Sequence, residues 1–210
     1  QALQWSVEFP DWVPRAIAVV SPGISMDAHG ILIADMWTRP IRNDPLWQNG
    51  NYDPANPPRF GIAEALRIAG VSAMTEPAVR LQLGGMVPAE AGKDPADSIL
   101  NDYMAARMLG QIGMMQAAQM DANHYLYLVR AGQLFNIEGQ LSQAKAKYLF
   151  LPVITDTIAT IPMNEQALAR MRAAGLRAEM KVLQTPGGHL DGLTQVGTVK
   201  DAIVAFLETD

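Results

Sequence analysis

The sequence predicts an α/β protein: a parallel sheet flanked by helices, with a helical segment inserted between two strands. Three observations carry this. Short apolar runs bounded by turn residues occur at both ends of the chain. A helical pattern separates the two late runs, which gives strand, helix, strand, helix with short connections. The middle, in contrast, contains helical patterns and a Pro- and Asn-rich loop but no strand-like run.

Taken in order, the first element is a helical pattern that runs from residue 1, with Ala2, Leu3, Trp5 and Val7 between polar residues and Pro10 as the stop. No capping residue precedes it and the chain has no initiator Met, so the chain is expected to begin partway through a longer protein. "AIAVV", Ala16 to Val20, follows, closed by "SPG". It is short and β-branched and reads as a buried strand. The 25–140 stretch is expected to be an insertion. It holds a polar turn at His29, the loop "RNDPLWQNGNYDPANPPRF", and helices over Ile62–Ala69, Pro95–Met120 and Asn123–Phe135. The Met-rich run inside the second of these reads as helix packing, since Met fills irregular apolar gaps. "KYLFLPVI", Lys147 to Ile154, and "AEMKVLQ", Ala178 to Gln184, are the late strands. "NEQALARMRAAG" is the helix between them, with Gly175 at its stop position. "TVKDAIVAFLETD" closes the chain with Val199, Ile203 and Phe206 on one helical face. The expected domains are therefore a core, 1–24 with 141–210, and a helical cap over 25–140. A sheet of three strands would leave "AIAVV" with an unpaired edge.

Composition narrows the function. Apolar residues make up 49% and charged residues 18%, an ordinary globular balance. The net charge is -5, which argues against nucleic acid or an anionic membrane as partner, because those require a basic face. No apolar run approaches the about 20 residues of a membrane span. Cysteine is absent, so disulfides, thiol catalysis and thiolate metal sites are excluded. The 3 His are scattered with no H-E-x-x-H, and no metal site is expected. No Gly-rich phosphate loop is present either.

Chemistry concentrates at two loops. His189 lies in "TPGGHLDGL", directly after the last strand, where α/β enzymes place a general base. Asp156 lies in "PVITDTIATIP", directly after the preceding strand. One strand-helix-strand unit separates them, so both loops leave the same edge of the sheet. Asp followed by His in this arrangement is the latter part of the order Ser…Asp…His found in α/β-hydrolases. A catalytic imidazole needs such a carboxylate to fix its tautomer. His29, in a polar turn, and His124, on a helix, lack that context. No nucleophile elbow accompanies the pair: "GISMD" around Ser25 and "GVSAM" around Ser72 both lack the second Gly of G-x-S-x-G.

Four stretches resemble the homoserine O-acetyltransferase branch of the α/β-hydrolases. "QALQWSVEFPDWVPRAIAVV" resembles the helix and strand that follow the elbow in that family. "IRNDPLWQNGNY" resembles its I-x-x-D-P-x-W-x-x-G-x-Y stretch, and "DANHYLYLVRA" its D-A-N-S-Y-L-Y-L-T-R-A helix. "AKYLFLPVITD" and "TPGGH" resemble its acid strand and histidine loop. The resemblance implies the C-terminal part of an α/β-hydrolase with an inserted helical cap, starting just after the elbow, with Asp156 and His189 as acid and base. The nucleophilic Ser would lie in a preceding segment of the same fold, the chain's first expected partner. Homoserine-using members carry an Arg and a Tyr on the cap helix and an Asp directly after the catalytic His. Leu66, Ala73 and Leu190 stand at those positions here. Arg67 and Asp191, each one residue out of register, are the remaining candidates for substrate binding. The expectation is acyl transfer or ester hydrolysis on a small, non-homoserine substrate in the cytoplasm. No cofactor would be bound, and acetyl-CoA is the candidate acyl donor. A homodimer through the cap is the candidate assembly. The alternatives are homoserine O-acetyltransferase itself and a non-catalytic remnant of the family; this chain alone is expected to be inactive.

Overall fold

The computed structural model describes residues 1–209. The chain folds as two compact units, residues 1–30 with 134–210, and residues 31–133. The division falls at 30/31 and 133/134, where the sequence placed it at 24/25 and 140/141.

The first unit is built on three parallel strands in the order β1-β2-β3: Arg15–Val19, Lys147–Leu151 and Ala178–Met180. The central strand is buried on both faces, as a continuous apolar run requires. Tyr148 and Phe150 pack with Leu3 and Val7 of α1 (Ala2–Glu8) and with Leu168 and Met171 of α7 (Ile161–Ala173). Leu149 and Leu151 pack on the other face with Leu183, Val199 and Phe206, the last from α9 (Lys200–Glu208). Ser6 and Tyr148 bring hydroxyls into this core and satisfy each other. Ser6 Oγ donates to Leu3 O at 2.7 Å and so accepts from Tyr148 Oη at 2.8 Å. Among the described residues, β1 has β2 as its sole ladder partner. Trp5 meets Phe9 edge to face and Phe9 stacks on Trp12, with Trp5 59% and Trp12 79% exposed, although the helical pattern counted Trp5 among its apolar positions.

Each late element ends for a local reason. Pro152 removes a donor after β2, yet pairing resumes once, at a Val153–Leu183 bridge. α7 closes where Gly175, at φ 80°, donates to Arg172 O at 2.9 Å and Leu176 donates to Met171 O at 3.0 Å. β1 ends at Val20, whose φ of 43° is a strained conformation for a β-branched residue. The way out of and back into this unit forms a short antiparallel neck. Ser25 bridges Asn136, Met26 donates to Phe135 O at 2.9 Å, and Ile137 donates to Ile24 O at 2.9 Å.

In the second unit, Ile41, Ile62, Ala63, Ala65, Ala117 and Ala122 form a buried cluster. They come from four helices: α2 (Ala28–Asn43), α3 (Arg59–Ser72), α5 (Met104–Ala117) and α6 (Ala122–Gln133). α4 (Glu76–Leu83) is capped by Thr75. A turn over Pro45–Gly50 holds Gln48 and Asn49 at φ 49° and 54°. It is fastened by Asn123, which accepts from Trp47 Nε1 and donates to Gly50 O, both at 2.9 Å.

Several sequence expectations change here. His29 sits on helix α2, not in a polar turn, and α4 was not foreseen. The expected Pro95–Met120 helix begins at Met104, because residues 84–103 form turns closed by a Pro88–Tyr103 bridge. Met114 and Met115 are exposed on α5, so they do not fill a core gap. No helix of the described residues is long and apolar enough to cross a membrane. They also contain no group of three or more His, Asp or Glu that could hold a metal.

Candidate active site

Two loops at the ends of β2 and β3 meet. Asp156 sits three residues beyond the Val153 bridge, in a turn where its N–H donates to Val153 O at 3.1 Å. Its side chain is fully buried. Oδ1 accepts from Ile158 N at 2.8 Å and from Ala159 N at 3.0 Å. Oδ2 is left for His189 Nδ1, which lies 2.8 Å away. Burial pushes the Asp156 carboxyl upward. The His189 hydrogen bond and charge, with the Ala159 and Ile158 N–H groups, outweigh it and hold the carboxyl below its ordinary value. Ionised, the carboxylate can only accept, so Nδ1 of His189 carries the proton. That leaves the lone pair on Nε2, and the His189 side chain is 26% exposed. A buried carboxylate therefore presents an imidazole base whose free nitrogen can reach a reacting group.

The histidine loop is fastened on its far side as well. Asp191, buried at the start of the short helix α8 (Asp191–Thr194), accepts the Gly187 N–H through Oδ2 at 2.6 Å. Thr194 Oγ1 lies 3.5 Å from Asp191 Oδ1. Gly192 packs against strained Val20: a Cβ on it would stand 2.4 Å from Val20 Cγ1, so the approach requires glycine. Thr155 Oγ1 accepts from Gly188 N at 3.1 Å and donates to Thr185 O at 3.0 Å.

The structure thus brings Asp156 and His189 into direct contact. Asp191 stands beside them, with its carboxylate engaged by its own loop. Arg67 is on α3 in the other unit, 44% exposed, with its guanidinium 3.5 Å from Glu64 Oε1. His29 and His124 are both exposed, and the backbone N–H of His124 donates to Asp121 at 2.6 Å. Ser25 Oγ donates to Glu138 at 3.3 Å, and Ser72 Oγ donates to Ile68 O within its own helix at 2.7 Å. Neither serine has a histidine as partner. Thr155 was missed by sequence reasoning. Its position immediately before the acid was the one signal available.

Comparison with known proteins places the fold. No family model matches the chain. It is 24% identical over 219 residues to a homoserine O-acetyltransferase of Zymomonas mobilis, covering 100% of this chain and 58% of that protein. A Methanocorpusculum labreanum protein of the same name is 25% identical over 195 residues, covering 90% of this chain and 39% of its own length. Among solved structures, esterase E22 superposes with a TM-score of 0.89 at 32% identity, over 99% of this chain and 58% of that one. The homoserine O-acetyltransferase from Bacillus anthracis superposes at 0.88 with 22% identity, over 100% of this chain and 57% of that one. The chain thus spans between 39% and 58% of the length of these relatives.

Proposed function

From a chain with the α/β-hydrolase fold, whose relatives are homoserine O-acetyltransferases and esterases of that fold, we propose that it carries the acid and base of a Ser-His-Asp acyl-transfer site. The observation that carries the reading is His189 Nδ1 at 2.8 Å from the fully buried Asp156 carboxylate. The serine would come from a segment that precedes this chain. His189 Nε2 takes the serine proton as the serine oxygen bonds to the acyl carbon. It then delivers that proton to the departing oxygen or sulfur as the old acyl bond breaks. In the second half, Nε2 takes a proton from water or an alcohol as its oxygen bonds to the acyl carbon, and returns that proton to the serine oxygen as the serine–acyl bond breaks. Asp156 remains ionised throughout and stabilises the imidazolium.

The acceptor is a small molecule other than homoserine. A zwitterionic amino acid brought into a dry pocket needs charged partners. Leu66, Ala73 and Leu190 stand where the resemblance puts Arg, Tyr and Asp. The Asp191 carboxylate is committed to Gly187. Two assays on a protein joining this chain to a segment with a G-x-S-x-G elbow test the proposal. p-Nitrophenyl acetate should be hydrolysed, and homoserine should not be acetylated from acetyl-CoA. Efficient homoserine acetylation would overturn the acceptor assignment. Undiminished p-nitrophenyl acetate hydrolysis on His189→Ala would overturn the site.

A further inference from the structure

We infer that Thr155 is a positioning residue for the His189–Asp156 pair, its hydroxyl carrying the pairing of two strands past the end of the sheet. The inference rests on the acyl-transfer reading only for its catalytic consequence. Backbone pairing between the ends of β2 and β3 stops at Leu183. Leu183 donates to Pro152 O at 2.9 Å, and Ile154 donates to Leu183 O at 3.0 Å. Beyond that point the two chains turn into separate loops. The next link across is the Thr155 hydroxyl, between Gly188 N and Thr185 O. The link after it is Asp156 to His189. Thr155–Gly188 and Asp156–His189 both join residues 33 apart in sequence, so they are successive rungs, the first made by a side chain in place of the backbone.

The chemistry of the rung restricts what can fill it. Gly188 N–H only donates and Thr185 C=O only accepts, so the bridging group must do both. A hydroxyl can, and a methyl of the same shape cannot. Removing the hydroxyl leaves the Asp191–Gly187 bond and the Gly192–Val20 contact in place. The histidine loop then keeps its fold but loses the anchor adjacent to His189. The imidazole would lose its aim on Asp156 before the unit lost its packing.

The test reads the imidazole directly, in this chain, by nitrogen-15 NMR of the histidine ring. Wild-type protein should show His189 protonated at Nδ1, with a low-field, slowly exchanging Nδ1–H. Thr155→Val should lose that resonance and show mixed tautomers, while Thr155→Ser retains both features. In the serine-containing protein, the same Val variant should lose roughly 10- to 100-fold in kcat with KM unchanged, the scale of a misplaced catalytic group. A Val variant that keeps the resonance and the single tautomer overturns the inference. Should it not fold, Thr155→Ala carries the same expectation, and a preserved resonance there overturns it equally. If neither folds while Thr155→Ser does, Thr155 is a folding residue and the inference fails. Because the resonance needs no nucleophile, absent esterase activity would sink the proposed function without altering this result.

Discussion

Replacing Asp156 by Asn tests the site most severely, because the structure assigns each carboxylate oxygen a separate task. Oδ1 accepts two backbone N–H groups, from Ile158 and Ala159, and Oδ2 faces His189. Asparagine offers one acceptor and one donor in the same shape. The amide oxygen will take the Oδ1 position, since the alternative puts an NH₂ against two N–H donors in a buried turn. That orientation points the NH₂ at His189 Nδ1. The ring must then accept there and carry its proton on Nε2, which removes the base. The local fold survives, since both backbone donors keep an acceptor, so the stability cost should be about 1–3 kcal/mol, the scale of one lost charge-assisted hydrogen bond. Turnover should fall by about 10⁴, the loss that a reversed tautomer causes in serine proteases. The assay is hydrolysis of p-nitrophenyl acetate by the serine-containing protein, with thermal unfolding of the same samples as control. A variant that retains kcat within tenfold of wild type would refute the argument from tautomers. One that no longer unfolds cooperatively would refute the division of labour between the two oxygens.

Two more outcomes follow from the same geometry. His189→Ala in the serine-containing protein should lower kcat by several orders of magnitude, whereas His124→Ala should leave it within a few-fold, as a kinetic comparison of the two would show. The lowered pKa of Asp156 also makes stability depend on pH. The unfolded carboxyl, near 3.9, holds its proton to higher pH than the folded one, so its contribution is complete above that range and is lost as pH falls through the folded value. The melting temperature of this chain should therefore drop from about pH 5 downward. Asp156→Asn should lack that component, and parallel curves for the two proteins would contradict it.

Much of the first unit was legible because its central strand is buried on both faces and so appears as an unbroken apolar run, with β1 and β3 as short runs bounded by turn residues. Asp156 and His189 could be paired before any coordinates, since a strand-helix-strand repeat sends both loops to one edge. The second unit was harder to read. α2 contains Gly30 and Pro40, two residues that ordinarily mark a helix boundary, yet it runs through both. Its length depends on Ile41 reaching the cluster with Ile62 and Ala65, a long-range condition that local pattern does not display. Thr155 was illegible for a different reason. Its role depends on where the ladder stops: Pro152 marks the end of the regular strand at Leu151, but nothing in the run Lys147–Ile154 shows that pairing resumes at Val153 and Leu183 and ends there.

The antiparallel neck at Ser25 and Asn136 bears on how such an architecture could arise. By zipping the departing and returning chain together, it makes everything from Ile31 to Gln133 the tip of one excursion along the chain. Loop-closure entropy grows only logarithmically, by about 0.6 kcal/mol per doubling of length. A tip of about a hundred residues therefore costs the host little more than a short one, provided it folds on its own cluster. The neck is thus a grafting point. Segments of very different size could be exchanged there during evolution, or by design, while Asp156 and His189 keep their register.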